Sequence, residues 1–182
     1  MNKKRITGIV IAGGKSLRMG KNKAIVEYKG KRLVDNAICI LQNHTQNILI
    51  SSNKIIDNIL LATIPDKYKN VGPISGLYSC LKASTTELNI VIPCDVPNLN
   101  YELYNTLIEN SNGFDAVVPR LPNGKLEPLI GCYKKNVLPI IENQINQNDY
   151  KLVNLLLKIE TKYIDITDIE QFKNINTPND LE

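Results

Sequence analysis

Two stretches of the chain are apolar without alternation, Ile6–Ile11 and Leu88–Pro93, and both are rich in β-branched residues. A strand that is apolar on both faces is covered on both, as in a parallel sheet sandwiched by helices. Around these two runs the pattern alternates between periods. Residues 33–41 place Leu33, Ala37, Ile40 and Leu41 at helical spacing, and residues 47–51 form a second strand run ending in Ser51-Ser52-Asn53. A weaker strand is expected over 59–64, followed by a loop through Gly72-Pro73 and a helix carrying Leu77, Leu81 and Ala83. Further on, the pattern predicts helices over 101–108, 136–145 and 152–159, and strands over 116–118, 129–133 and 163–166. Residues 119–125 read as a turn-rich excursion, residues 170–177 as a loop, and Pro178 as the start of a terminal turn of helix. Strand and helix in alternation predict a three-layer, Rossmann-like α/β fold around a mostly parallel sheet, with right-handed crossovers. Ligands in such sheets lie beyond the carboxyl ends of the strands.

Composition narrows this picture without changing it. A length of 182 residues with 43% hydrophobic and 22% charged residues fits one globular domain spanning 1–182, with no linker, repeat or low-complexity stretch. The net charge of +4 is mild and the cations are scattered, while aromatics make up 5% with no Trp. That argues against a nucleic-acid track, which needs a basic face interleaved with aromatics. No apolar run approaches the ~20 residues that span a bilayer. The apolar stretch after Lys3-Lys4-Arg5 is too short for a secretory signal, so a cytoplasmic protein is expected. Cys39, Cys80, Cys94 and Cys132 never form CxxC, and each sits in an apolar context, so four free, buried thiols are expected. His44, the one histidine, follows a helix and reads as a cap.

The chemistry gathers after the first strand. Ile11-Ala12-Gly13-Gly14 lets backbone approach a ligand closely, and Lys15, Arg18, Lys21 and Lys23 surround a further glycine, Gly20. A buried strand opening into a glycine-rich cationic loop is a phosphate cradle. Five residues separate Gly14 from Gly20 and Asn22 follows Lys21, so the loop is not a Walker A motif. Adjacent glycines exclude the dinucleotide fingerprint as well. Asp95 ends the second buried run, and Val96-Pro97 stops the strand behind it. A carboxylate facing a polyphosphate calls for a cation between them, and Mg²⁺ held by one carboxylate plus phosphate oxygens fits. Asp95 stands too early to cap the helix near Tyr101, where Asn98 or Asn100 is better placed. Asn53 and Asp66 are each unremarkable as turn residues. A carboxylate in a base pocket would nonetheless favour guanine, which presents N1–H and N2–H₂ donors.

These residues form a pattern. Ala12-Gly13-Gly14 with Arg18-Met19-Gly20 and Lys23, Ser52-Asn53, Pro65-Asp66, Gly72-Pro73-Ile74-Ser75-Gly76-Leu77, Pro93-Cys94-Asp95-Val96-Pro97, Glu127-Pro128-Leu129 and Phe172-Lys173-Asn174-Ile175-Asn176-Thr177-Pro178 run through almost the whole chain. Together they resemble the molybdenum cofactor guanylyltransferases, the molybdopterin-guanine dinucleotide biosynthesis protein A family within the nucleotidyltransferases. The resemblance implies transfer of GMP from GTP to the phosphate of molybdenum-molybdopterin, with release of pyrophosphate and dependence on Mg²⁺. It further implies nucleotide contacts from Ile11, Ala12, Gly13, Gly14, Lys23, Asn53, Asp66 and Asp95, with Asp95 holding the metal. Arg18, Lys23 and Asp95 would be catalytic, and Lys151, Asn174 and Asn176 would face the pterin substrate. Molybdoenzyme maturation proteins would be further partners. Two departures stand out: Asn22 replaces an acidic residue before the lysine, and Lys151 replaces an arginine, keeping the charge but losing the bidentate fork. Competing readings are a cytidylyl-, sugar-phosphate or phospholactate nucleotidyltransferase of the same fold, or a GTP-binding protein without turnover. Against the last, a pure binding module has little need of both Lys23 and Asp95.

Overall fold

The computed structural model describes residues 5–13 and 23–181. In chain order the strands are β1 (Ile6–Ile11), β2 (Glu27–Tyr28), β3 (Lys31–Arg32), β4 (Ile48–Ser51), β5 (Ala62–Ile64), β6 (Leu88–Pro93), β7 (Ala116–Arg120), β8 (Gly131–Lys134) and β9 (Thr161–Asp165). The helices are α1 (Leu33–Gln42), α2 (Pro73–Ala83), α3 (Glu102–Glu109), α4 (Leu138–Asn146) and α5 (Leu152–Leu156). β2 and β3 pair as a small hairpin; the other seven strands form one sheet in the order β5-β4-β1-β6-β8-β7-β9. In that sheet, among the described residues, only β8 runs against its neighbours, antiparallel to both β6 and β7. This is the mostly parallel three-layer arrangement that the alternating pattern predicts.

Both faces of β1 are buried, and its side chains divide between two apolar layers. Val10 and Ala12 join Val34, Ala37 and Leu41 of α1 and Leu103, Tyr104 and Leu107 of α3 on one side. Ile9 and Ile11 join Ile74, Leu77 and Leu81 of α2, Ile141 and Ile145 of α4, and Leu155 and Leu156 of α5 on the other. No helix among the described residues is long and apolar enough to cross a membrane.

Boundaries differ where packing is thin. The strand expected over 59–64 shrinks to Ala62–Ile64, an edge strand that pairs with β4 at three positions while Leu60 and Ala62 face solvent. The last long helix contracts to the five residues of α5. β7 extends through Pro119, tolerated because the ladder to β8 covers only Ala116 and Val117, so no bond from residue 119 to β8 is lost. Cys80, Cys94 and Cys132 are buried free thiols, but Cys39 is exposed on the outer side of α1, a correction to the expectation of four buried ones. His44 is not a helix cap. Its Nε2 meets the carbonyl of Tyr101 at 3.0 Å, while the Asn43 amide caps α1 by donating to Cys39 and Ile40 carbonyls. Asn100 takes the N–H of Glu102 at 2.9 Å, which leaves Asp95 clear of any capping duty.

Candidate active site at the carboxyl edge of the sheet

The four strands β5, β4, β1 and β6 lie side by side and point the same way, so the segments that follow them emerge at one edge. Backbone bonds carry the ladder one step further: Ala12 N–H donates to Ser51, Ser52 to Ile64, and Cys94 to Ile11. Gly13, Asn53, Asp66 and Asp95 are therefore set at that edge by the sheet itself. Gly14 and Arg18, like the Asn22 departure, lie outside the described residues.

Lys23 opens a short 3-10 turn (Lys23–Ile25) and reaches back to the end of β6. Its Nζ stands 2.8 Å from Asp95 Oδ2 and 2.8 Å from Asn176 Oδ1. The Lys23 and Asp95 side chains keep only 17% and 25% of their exposure, so this ion pair is far drier than a surface bridge. Asp95 Oδ1 accepts no hydrogen bond among the described residues. The neighbouring thiol, Cys94, is pushed up to about 12 by burial, with Asp95 adding to the effect, and stays protonated and inert.

Asn176 arrives from the far end of the chain. Phe172 and Ile175 are buried, and Ile175 N–H donates to the carbonyl of Asp95 at 2.8 Å. Asp180 then folds the next turn, accepting from the N–H groups of Asn176 and Thr177 and from the Thr177 hydroxyl. Those donors hold the Asp180 carboxyl below its ordinary value. Asp180 is not among the candidates drawn from sequence, although a carboxylate three residues beyond Thr177 is a recognisable turn-closing signal.

Asn53 and Asp66 bind each other. Asn53 Nδ2 donates to Asp66 Oδ2 at 2.7 Å and Asp66 N–H donates to Asn53 Oδ1 at 2.9 Å. The loop beyond Asp66 hangs from α2, where Ser79 and Ser75 hydroxyls accept the N–H groups of Lys67 and Tyr68, each at 2.9 Å. Gly72 starts that helix at φ 79°, left-handed backbone that favours glycine, and Pro73 fills the first turn. The Gly-Pro-Ile-Ser-Gly stretch thus sets the pose of the Asp66 loop. A second support is invisible in the sequence: Lys67, Tyr68 and Tyr78 all donate to one oxygen of Glu142 on α4.

A cavity of about 420 Å³ opens beside Asp95, lined by Pro73, Pro93, Val96, Glu127, Pro128, Leu129, Tyr150, Lys151, Leu152, Val153 and Asn174. It brings together Asp95, Lys151 and Asn174, while Asn53, Asp66 and Asn176 are not in its lining. Lys151 is fixed through its backbone: its carbonyl accepts from the buried Gln144 amide at 2.9 Å, and its N–H donates to Asp149. Glu127 and Tyr150 join the site here for the first time, although Glu127 lies in the Glu127-Pro128-Leu129 stretch of the sequence pattern. The edge thus offers a cationic corner at Lys23, a carboxylate-amide pair at Asn53 and Asp66, and a mixed polar and apolar cavity, with Asp95 between corner and cavity.

Residues 8–161 match the family described as the MobA-like NTP transferase domain. A Flavobacterium johnsoniae protein named as a probable molybdenum cofactor guanylyltransferase is 33% identical over 179 residues, covering 97% of this chain and 94% of its own. Among solved structures, an Aquifex aeolicus VF5 protein superposes with a TM-score of 0.80 at 27% identity, covering 94% of this chain and 93% of that one. The molybdopterin-guanine dinucleotide biosynthesis protein A of Archaeoglobus fulgidus superposes with a TM-score of 0.78 at 24% identity, over 96% and 94% of the two chains. At that identity the likeness speaks for the fold.

Proposed function

Because the chain belongs to the MobA-like NTP transferase domain family, a family of nucleotidyltransferases, we propose that it transfers GMP from GTP to the phosphate of molybdenum-molybdopterin and releases pyrophosphate. The observation that carries the reading is the meeting of Lys23 and Asp95 at the edge between β1 and β6, with the cavity directly beside them. The acceptor phosphate is its own nucleophile, so positioning and charge stabilisation are what the protein has to supply.

The donor side is Ile11 to Gly14, Lys23, Asn53 and Asp66. Lys23 faces the phosphates and draws charge toward the departing pyrophosphate, together with Arg18. Asp66 accepts from guanine N1–H and N2–H₂, and Asn53 holds its carboxylate in place. The acceptor side is the cavity, where Lys151 neutralises the acceptor phosphate and Asn174 bonds the pterin edge. Among the described residues no group of three His, Cys, Asp or Glu side chains could cage a metal alone. The Asp95 carboxylate is a hard oxygen donor that would suit Mg²⁺ completed by phosphate oxygens and water. Bound there, Mg²⁺ supplies neutralisation of charge on the triphosphate.

Titration with GTP, ATP, CTP and UTP tests the base assignment. A buried charge-assisted hydrogen bond is worth on the order of 1.5–3 kcal/mol, so GTP is expected to bind roughly ten- to a hundred-fold more tightly than the others. Equal affinities for GTP and CTP would sink the guanylyl reading. In a transfer assay with GTP and the acceptor, Asp95→Asn is expected to fold normally and to lose Mg²⁺-dependent transfer; near-normal turnover removes Asp95 from the metal site.

A further inference from the structure

Asn176 sits at the hub of the site rather than in the cavity. Its amide oxygen takes one proton of the same ammonium that Asp95 holds, at the same 2.8 Å. Its own backbone is fixed twice, by Asp180 on one side and by the bond from Ile175 to the Asp95 carbonyl on the other. Asp95 therefore grips Lys23 with its side chain and the Asn176 segment with its main chain. A lysine stem has four rotatable carbons, and a single carboxylate leaves the ammonium free to swing about it. Acceptors from two separate segments fix it at a point.

We propose that Asn176 is a positioning residue for Lys23, aiming the ammonium at the phosphates of the bound nucleoside triphosphate. The inference deepens the proposed function and rests on it only in placing a triphosphate beside Lys23. The choice of an amide has a physical reason. A neutral oxygen orients the ammonium without cancelling its charge, whereas a second carboxylate there would hold the lysine as well but repel the triphosphate.

That distinction gives the test. GTP and CTP are titrated calorimetrically into the wild-type chain and into Asn176→Ala, Asn176→Asp, Lys23→Ala and the Lys23→Ala/Asn176→Ala pair, with melting temperatures recorded. Asn176→Ala is expected to weaken triphosphate binding about ten-fold in the wild-type background and not at all once Lys23 is alanine. Asn176→Asp is expected to melt no lower than wild type and still bind the triphosphate more weakly. A purely structural asparagine would show the reverse, with the aspartate variant losing stability rather than affinity. If the Asn176→Ala effect is carried in full into the Lys23→Ala background, or if triphosphate affinity is unchanged in Asn176→Ala, the proposal falls. The ratio of GTP to CTP affinity in the wild-type chain judges the guanylyl reading separately, because the coupling between Lys23 and Asn176 is read with whichever triphosphate binds.

Discussion

A methyl group on residue 76 would overlap the Ser51 hydroxyl and come within 3.3 Å of Asp66 Oδ1. Gly76 lies in the first turns of α2, buried where that helix crosses the end of β4, and Ser51 in turn donates toward Asp66 at 3.4 Å. Gly76→Ala is therefore expected to push the Asp66 carboxylate out of place. Overpacking of this kind costs about 1–3 kcal/mol, measurable by urea denaturation, and GTP titration should show a parallel loss of affinity. At this scale the sequence marks residues that the structure brings to one edge, and says less about how they meet. Asp95 can be picked out because a charge set just past a fully apolar strand is costly to place there and adds nothing to the packing, and Lys23 because it closes the glycine-rich cationic stretch. That Asn53 serves Asp66, and Asn176 serves Lys23, depends on contacts across 13 and 153 positions, which no local pattern encodes. His44 shows the same limit, since its partner is the Tyr101 carbonyl on a different segment.

Among the elements, α4 contributes most that the sequence does not announce. Glu142 accepts from Lys67 at 2.8 Å, Tyr68 at 2.8 Å and Tyr78 at 2.9 Å, so one carboxylate oxygen ties α4 to α2 and to the loop that follows Asp66. The Lys67 ammonium and then the two phenols lower its carboxyl to about 2 from an ordinary 4.5. A depressed carboxyl contributes stability that is complete above the unfolded-state value and lost as pH falls through the folded one. Melting temperature should thus drop between about pH 4.5 and 2 more steeply for the wild-type chain than for Glu142→Gln, and the two curves should converge at the acid end. The group is partly exposed, so the difference is small. Elements buried on both faces, β1 and β6, are legible to the residue because their apolar runs have hard ends. The edge strand β5 and the short α5 come out shorter than expected, since half-exposed segments mix apolar and polar positions without a clear period.

Taken whole, the molecule closes its site with its last segment. Phe172 is anchored in the apolar layer shared by α1 and α3, Ile175 is buried close by, and the main chain between them leads to the Asp95 carbonyl. Deleting residues 172–181 removes two buried side chains worth about 1.5–3 kcal/mol each, so a loss on the order of 3–6 kcal/mol is expected in urea unfolding, together with weakened GTP binding. The sandwich itself is legible from strand and helix alternation, but the reversal of β8 is not, because a four-residue strand carries the same pattern in either direction. That reversal has a consequence for descent. The proposed donor half is built where β1, β4, β5 and β6 end, whereas Glu127 to Leu129 enter the cavity just before β8 begins, on the excursion that follows β7. Three residues of the proposed acceptor cavity thus sit in a stretch of the gene apart from those that end β1, β4, β5 and β6. Mutation can recut the excursion, as surface loops tolerate, and hand down a reshaped wall of that cavity while the inherited strand ends stay as they were.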